Sequence, residues 1–159
     1  MANLKGISGT RHVGLVCSNI ERSIIFYESL GFICENLPLE ESGPLAENLV
    51  GIENVIYKTV KMHLERDDLT LWRESGFRLE LVEYINPKPQ LLKEFDNNVI
   101  GKIHLCFTVE DLDLTVKTIL NHGGYAPFDS TLDMTGTKKY IYAFDPDKTL
   151  LELAQTRVD

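Results

Sequence analysis

Two histidines and two glutamates recur at equivalent places in two copies of one sequence pattern. In the first copy, His12 opens an apolar run, and Glu80 lies between two leucines near the end of the copy. In the second copy, His104 and Glu152 hold the same positions. Imidazole and carboxylate groups together suit divalent metals such as Ni, Zn, Fe, Co or Mn. The repeat therefore predicts a metal site shared by these four residues.

The alternation of side chains along each strand predicts where the histidines point. Neighbouring strand residues face opposite sides of a sheet. His12 then shares its face with the small Gly14, whereas the bulky Leu15 lies on the other face. In the second copy, His104 and the bulky Leu105 likewise lie on opposite faces of their strand. We expect the bulky faces to pack under helices and the histidine faces to leave room for a ligand.

The two glutamates support the same interpretation. A glutamate inside an apolar strand is costly to desolvate unless it is paired or coordinated. Glu80 and Glu152 each lie in such a strand, at equivalent places in the two copies. Core packing alone does not account for that recurrence.

Each copy is predicted to fold as β-α-β-β-β, from its apolar periodicity and its glycine stops. The first copy has predicted strands at 11–17, 32–36, 56–64 and 77–85, and a helix from Asn19 to Leu30 that ends before Gly31. The second has predicted strands at 102–109, 125–128, 138–145 and 150–155, and a helix from Leu112 that ends before Gly123. Ser18 and Glu21 resemble a capping box at the start of the first helix.

The chain of 159 residues is predicted to form a single domain of two modules. The modules cover 7–85 and 101–156, and residues 86–100 link them. Residues 37–55 do not repeat and are a candidate lid, because so long a connection in a small domain is usually functional or disordered. Within it Leu45 and Leu49 have helical spacing. Residues 65–76 also do not repeat and are expected to form an extended hairpin connection.

The composition excludes several classes of protein. The formal net charge is −8, so no basic stripe is offered to a nucleic-acid backbone. No apolar run approaches the length of a membrane span, and the first residues lack the apolar stretch of a signal peptide. We expect a cytoplasmic protein with neither nucleic-acid nor membrane partners.

The remaining histidines and the three cysteines are expected to be structural. His63 and His122 have no counterpart in the other copy. The cysteines are uneven in spacing and form no CxxC pair, which favours reduced thiols. Cys17 and Cys106 lie in apolar strands and are expected to be small core residues.

Motifs spread over nearly the whole chain carry a resemblance to a known family. They are His12-Val13-Gly14-Leu15-Val16, Glu21-Arg22-Ser23, Phe26-Tyr27-Glu28-Ser29-Leu30-Gly31-Phe32, Leu79-Glu80-Leu81-Val82-Glu83-Tyr84, Gly101-Lys102-Ile103-His104, Phe144-Asp145-Pro146-Asp147 and Leu151-Glu152-Leu153. With them the chain resembles the vicinal oxygen chelate superfamily, which includes glyoxalase I, methylmalonyl-CoA epimerase, extradiol dioxygenases and antibiotic-resistance proteins. The resemblance implies the α+β glyoxalase/bleomycin resistance/dioxygenase fold, in which two tandem βαβββ modules form a cupped mixed sheet. It also implies one divalent metal held by His12, Glu80, His104 and Glu152.

The sequence departs from the family pattern at three points. Lys148 stands where a glycine usually follows Asp145-Pro146-Asp147, which concerns a turn and not the site. Ile103 precedes His104 where methylmalonyl-CoA epimerases commonly have a second histidine. No basic residues match unambiguously those that hold glutathione in glyoxalase I, so glutathione as a co-substrate is left open.

The resemblance favours a metal-dependent lyase or isomerase of the glyoxalase I type. Such an enzyme moves a proton next to a carbonyl through a metal-stabilised enediolate. Glu152 or Glu80 would move the proton, while His12 and His104 remain ligands. The alternatives are an epimerase (of methylmalonyl-CoA, a cyclitol or a sugar), an extradiol dioxygenase, and a non-catalytic ligand-binding or resistance protein.

The expected partner is a small-molecule substrate with two neighbouring oxygens. Candidate substrate-binding side chains are Arg73, Arg78, Tyr84, Tyr140 and Tyr142, which could orient an anionic or hydroxylated compound. A homodimer is expected. Whether the metal site lies within one chain or across two is left open by the sequence.

Overall fold

The computed structural model describes residues 11–64, 77–90, 97–98, 100–133 and 135–155. In chain order its elements are β1 (Val13–Val16), α1 (Ile20–Ser29), β2 (Phe32–Cys34), β3 (Leu39–Ser42), α2 (Pro44–Val50), β4 (Ile56–Leu64), β5 (Arg78–Asn86), β6 (His104–Val109), α3 (Leu112–Asn121), β7 (Thr131–Leu132), β8 (Lys139–Phe144) and β9 (Leu150–Gln155).

The strands form two mixed sheets that share one topology. The first sheet has the order β1-β5-β4-β2, with β3 added on β4, and the second has the order β6-β9-β8-β7. In each, the first strand pairs in parallel with the last, and the other pairs are antiparallel. The α+β class and the two-module fold are thus confirmed. The structure divides the strands between two sheets, and β3 is the addition that breaks the repeat.

Both long helices start on a side-chain cap. Asn19 accepts a hydrogen bond from the backbone of Arg22 at 2.7 Å, and Asp111 caps α3 in the same way. The predicted capping box is therefore wrong by one residue, because Asn19, a strong N-cap in an extended conformation, takes the place expected for Ser18. The backbone N–H of Ser18 is instead bound by Asp147 at 2.9 Å.

The strand predicted near 125–128 is wrong. In this stretch the structure has one isolated bridge, between Tyr125 and Phe144. The strand that follows α3 in the second module is β7, which begins later, at Thr131. Pro127 explains the shift, because proline has no N–H for a strand ladder.

The non-repeating stretch 37–55 contains regular structure. Strand β3 pairs antiparallel with β4, and the short helix α2 follows it. The helical spacing of Leu45 and Leu49 is confirmed, although both side chains are largely exposed, at 85% and 75%. The role of this segment as a lid stays a prediction.

One hydrophobic core joins the two modules. The bulky faces predicted from alternation are buried, with Leu15 and Leu105 at 7% and 5% exposure. Phe32 of β2 and Phe107 of β6 lie edge to face, 5.8 Å apart between ring centroids. A Cβ on Gly124 would lie 2.5 Å from a backbone carbonyl oxygen, so this position needs glycine for the close approach of the helix end to the sheet.

A polar contact between the modules fixes the start of α1. Asp145 and Asp147 lie in the β8–β9 loop of the second module. Asp145 is buried and accepts a hydrogen bond from the Tyr27 hydroxyl at 2.9 Å. Asp147 contacts Arg22 at 2.6 Å and accepts the Ser18 N–H. Burial alone would raise the pKa of Asp147, but the hydrogen bonds from Arg22 and Ser18 lower it below its ordinary value.

Replacement of Asp147 should therefore reduce stability in a pH-dependent way. A carboxyl whose pKa is lowered by folding stabilises the protein above its unfolded pKa, and this contribution is lost as the pH falls through the folded pKa. We expect Asp147→Asn to lower the free energy of unfolding by about 1–3 kcal/mol at pH 7, and the difference to shrink below about pH 4. Urea unfolding of both proteins at several pH values measures this.

Asp129→Asn is the matched control, because Asp129 is exposed. It should change the free energy of unfolding little at any pH. A deficit of Asp147→Asn that stayed constant down to pH 3 would contradict the charge-dependent role of Asp147.

Candidate metal centre

The first histidine–glutamate pair lies across β1 and β5. His12 directly precedes β1, and Glu80 is the third residue of β5, opposite Gly14. Nε2 of His12 is 3.1 Å from Oε2 of Glu80. The side chains are 30% and 23% exposed, so both reach solvent on the face away from the core. The small residue between them leaves this face open, as alternation predicted.

The second pair repeats this arrangement on β6 and β9. His104 begins β6, and Glu152 is directly opposite Cys106 on the paired strand. Nε2 of His104 is 3.0 Å from Oε2 of Glu152, with exposures of 45% and 23%. The two pairs therefore match in partner atoms, in distance and in the strands that carry them.

The donor atoms of each pair fit one metal ion. Two neighbouring ligands held at about 2.1 Å from an ion and at right angles lie about 3 Å apart, which is the observed spacing of each pair. An ordinary ion pair has a similar spacing, so it is the recurrence at equivalent positions that sets these pairs apart. Within the described residues, no three histidine, cysteine, aspartate or glutamate side chains come together to hold a metal. The structure thus forms two pairs from the predicted four residues and does not join them within one chain.

The two strands that carry the glutamates, β5 and β9, are each hydrogen-bonded to the start of the helix in their own module. Three residues after Glu80, and so on the opposite face, Glu83 accepts the N–H of Ile20 at 3.0 Å. Three residues after Glu152, Gln155 accepts the N–H of Leu112 at 2.9 Å. These side chains bind the first N–H of α1 and of α3, which otherwise lacks a partner. The helix starts therefore help to fix the strands that carry the glutamates.

The neighbours of the two glutamates differ. Lys61 is opposite Glu80 on β4, whereas Tyr142 is opposite Glu152 on β8. Burial and the adjacent Glu152 raise the pKa of Tyr142 and that of Cys106. Both groups therefore stay protonated and neutral near Glu152. The first pair has a cation beside its carboxylate, and the second pair has neutral donors.

One of the two core predictions for cysteine is wrong. Cys17 is buried at 3% exposure, as expected, and burial raises its pKa to about 12. Cys106 is exposed, because it lies two residues from His104 and so shares the open face. Alternation along β6 already placed Cys106 on that face.

Four of the predicted substrate-binding residues lie on the same sheet faces as the glutamates. On β5, Arg78 is two positions before Glu80 and Tyr84 is four positions after it, so all three share a face. Tyr140 and Tyr142 share a face of β8, and Tyr142 is opposite Glu152. The ring of Tyr142 is 5.8 Å from that of His104. Arg73 lies outside the described residues.

Sequence reasoning missed Lys61 and Glu35 on the first sheet's open face, and it considered His63 only as a structural residue. Lys61 and His63 of β4 pair with Glu80 and Arg78 of β5, and Glu35 lies 3.3 Å from His63. The pairing register of β4 with β5 decides which β4 side chains flank the site. This register cannot be predicted from a local sequence pattern.

An α+β fold of two like modules, each with a histidine–glutamate pair on its open face, defines the class of protein. The chain matches the model of the Glyoxalase/Bleomycin resistance protein/Dioxygenase superfamily over residues 9–153. It therefore belongs to that superfamily, which confirms the resemblance seen in the sequence. The superfamily includes two kinds of enzyme, glyoxalases and dioxygenases, as well as bleomycin resistance proteins.

Solved structures show the same fold at low sequence identity. A glyoxalase family protein from Bacillus cereus is 20% identical, with a TM-score of 0.81 and coverage of 99% of both chains. One from Enterococcus faecalis is 25% identical, with a TM-score of 0.60 and coverage of 93% of this chain and 98% of that chain. Glyoxalase I from Zea mays is 17% identical, with a TM-score of 0.55 and coverage of 93% of this chain and 44% of that chain.

No curated protein matches the chain. In the part of the chain that the structure describes, no helix is long and apolar enough to cross a membrane.

Proposed function

We propose that this protein is a metal-dependent lyase or isomerase of the glyoxalase I type. The observation that carries the proposal is the repeated histidine–glutamate pair, present once on the open face of each sheet with matching atoms and distances. Superfamily membership and the likeness in fold to glyoxalase I support it.

His12, Glu80, His104 and Glu152 would hold one divalent metal ion. When bound, that ion would act as a Lewis acid on two neighbouring oxygens of the substrate. The open face beside the second pair carries the exposed Tyr142, whose hydroxyl could orient the substrate. Tyr84 on the first sheet packs against Tyr57 and is a second candidate for this role. The use of glutathione as a co-substrate is left open.

The four ligands would come together across a homodimer. The two pairs are separate within one chain, and their side chains are partly exposed to solvent. Strands β1 and β6 lie at the edges of their sheets and carry or adjoin the histidines. In a two-fold dimer, the first pair of one subunit can meet the second pair of its partner, and symmetry makes two such sites.

Glu152 is the proposed base. It would accept the proton from the carbon next to the carbonyl and return it to the adjacent carbon. The residues opposite Glu152 are Cys106 and Tyr142, which carry no charge, whereas the residue opposite Glu80 is the cation Lys61. This difference in neighbours is the basis for assigning the proton transfer to Glu152 and a ligand role to Glu80.

Metal content and turnover test the proposal together. The protein purified without chelator should contain a divalent metal among Ni, Zn, Co, Mn and Fe, and the loaded protein should isomerise the hemithioacetal of methylglyoxal and glutathione. Chelation should abolish turnover, and return of the metal should restore it. Oxygen consumption with a catechol would identify a dioxygenase instead, and the lack of any bound metal would overturn the metal site.

A further inference from the structure

A group of charged side chains lies beside the first histidine–glutamate pair, on the same face of its sheet. Arg78 is two residues before Glu80 on β5, so the two residues share a face and lie about 7 Å apart along the strand. On β4, His63 pairs with Arg78, and Lys61 pairs with Glu80. Two cationic side chains thus flank the proposed metal ligand, in a chain whose net charge is −8.

Arg78 is also next to the other ligand of this pair. In the parallel pairing of β1 with β5, Val13 is the partner of Leu79. His12 is one residue earlier on its strand, and Arg78 is one residue earlier on the other. Arg78 is therefore beside His12 across the paired strands, and it is on the same face of β5 as Glu80. This position is next to the space where a substrate would meet the metal.

Glu35 fixes the inner end of the Arg78 guanidinium. Nε of Arg78 is 3.2 Å from Oε1 of Glu35. The N–H of Glu35 is hydrogen-bonded to the carbonyl of Lys61 at 2.8 Å, so the backbone of Glu35 is held against β4. Nδ1 of His63 is 3.3 Å from the same carboxylate oxygen, is itself buried, and is not aligned for a hydrogen bond. His63 therefore packs against the carboxylate and limits its movement.

The outer end of the guanidinium is suited to a ligand. The contact with Glu35 is through Nε, and the two terminal amino groups carry four of the five N–H donors of an arginine. The Arg78 side chain is 45% exposed, and no other acidic residue among those described forms an ion pair with it. A guanidinium held at its inner nitrogen presents a planar pair of donors, which matches the oxygens of a carboxylate or phosphate.

We propose that Arg78, positioned by Glu35, binds an oxyanion group of the substrate next to the His12–Glu80 pair. This inference rests on the proposed function for one point, the position of the reacting end of the substrate at the metal. It adds that the substrate carries a carboxylate or phosphate a short distance from its two neighbouring oxygens. Arg78 is a specificity-determining residue in this scheme and moves no proton.

The first test uses the metal-free full-length protein and inorganic phosphate. The Nε–H signal of Arg78 in an NMR spectrum, assigned by its loss in Arg78→Gln, should shift with phosphate in a saturable way. Lys117→Gln, which removes a cation from the exposed side of α3, should leave that response unchanged. An Arg78 signal that does not respond, or responds without saturation, would overturn the proposal.

The second test compares 2-oxoadipate with 2-oxohexanoate on the metal-loaded protein. The two acids share the chelating end and differ in the distal carboxylate. The wild type should bind 2-oxoadipate about 10- to 100-fold more tightly, the size expected for a hydrogen-bonded charge pair. Arg78→Gln should bring the ratio close to one, and Arg78→Lys should keep part of it, because lysine retains the charge without the planar fork.

The two tests separate this inference from the proposed function. If phosphate acts on Arg78 but neither oxoacid binds the loaded protein, the oxyanion site stands and metal chelation of the substrate fails. A ratio that is the same in Arg78→Gln and in the wild type would overturn the role of Arg78 and leave the metal site intact.

Discussion

Two variants that bind no metal should regain it when their subunits are exchanged. One variant loses the first pair (His12→Ala with Glu80→Ala), and the other loses the second pair (His104→Ala with Glu152→Ala). If each metal is held by the first pair of one subunit and the second pair of its partner, a mixed dimer has one complete site and one site without ligands. Random exchange of equal amounts should restore about a quarter of the wild-type metal content.

The control is each variant alone, taken through the same exchange, which should stay free of metal. Restoration would show that the two pairs act together and that they do so between chains. If the wild type holds metal but the mixture does not, the four ligands meet within one chain, and the dimeric arrangement is wrong. The physical basis is the separation of the pairs in one chain, together with the partial exposure of their side chains.

Glu152→Gln should lower turnover far more than it lowers metal content. Glutamine keeps the shape and an oxygen donor but cannot take up a proton at neutral pH. General-base catalysis contributes about 10²- to 10⁴-fold to the rate, so we expect a loss of that size in kcat with metal still bound. Metal analysis and turnover of the hemithioacetal on the same sample measure both quantities.

Two further variants make this result specific. Glu28→Gln removes a carboxylate from the exposed side of α1 and should leave both quantities unchanged. Glu80→Gln should retain more of its turnover per bound metal than Glu152→Gln, because Glu80 is assigned a ligand role only. The reverse order would move the base to Glu80, and full turnover in Glu152→Gln would exclude Glu152 as the base.

The internal repeat made much of the fold predictable from the sequence. The apolar alternation of β1 and β6 assigned Leu15 and Leu105 to the core, and the glycine stops ended both helices where the structure ends them. These features are local, because the period of side chains and the backbone freedom of glycine act over a few residues. The strand prediction at 125–128 is wrong for an equally local reason, the proline at position 127.

Contacts between distant segments were harder to predict. The cap of α1 was assigned one residue early, and the bond from the Ser18 N–H to Asp147 of the other module was not predicted. The roles of Glu83 and Gln155 at the helix starts were also missed, since each acts on a residue far away in the chain. Glu35 stayed unrecognised because its contact with Arg78 depends on the antiparallel pairing of β2 with β4, two strands that β3 and α2 separate in the chain.

The sequence by itself determined that a histidine and a glutamate recur in each module, and that each pair faces away from the core. Strand alternation is enough for that, because it depends only on the chain's own period. The tertiary structure decided which residues surround the pairs and that one chain keeps them apart. Both depend on strand register and on the packing of one module against the other, which bring together groups that no local pattern connects.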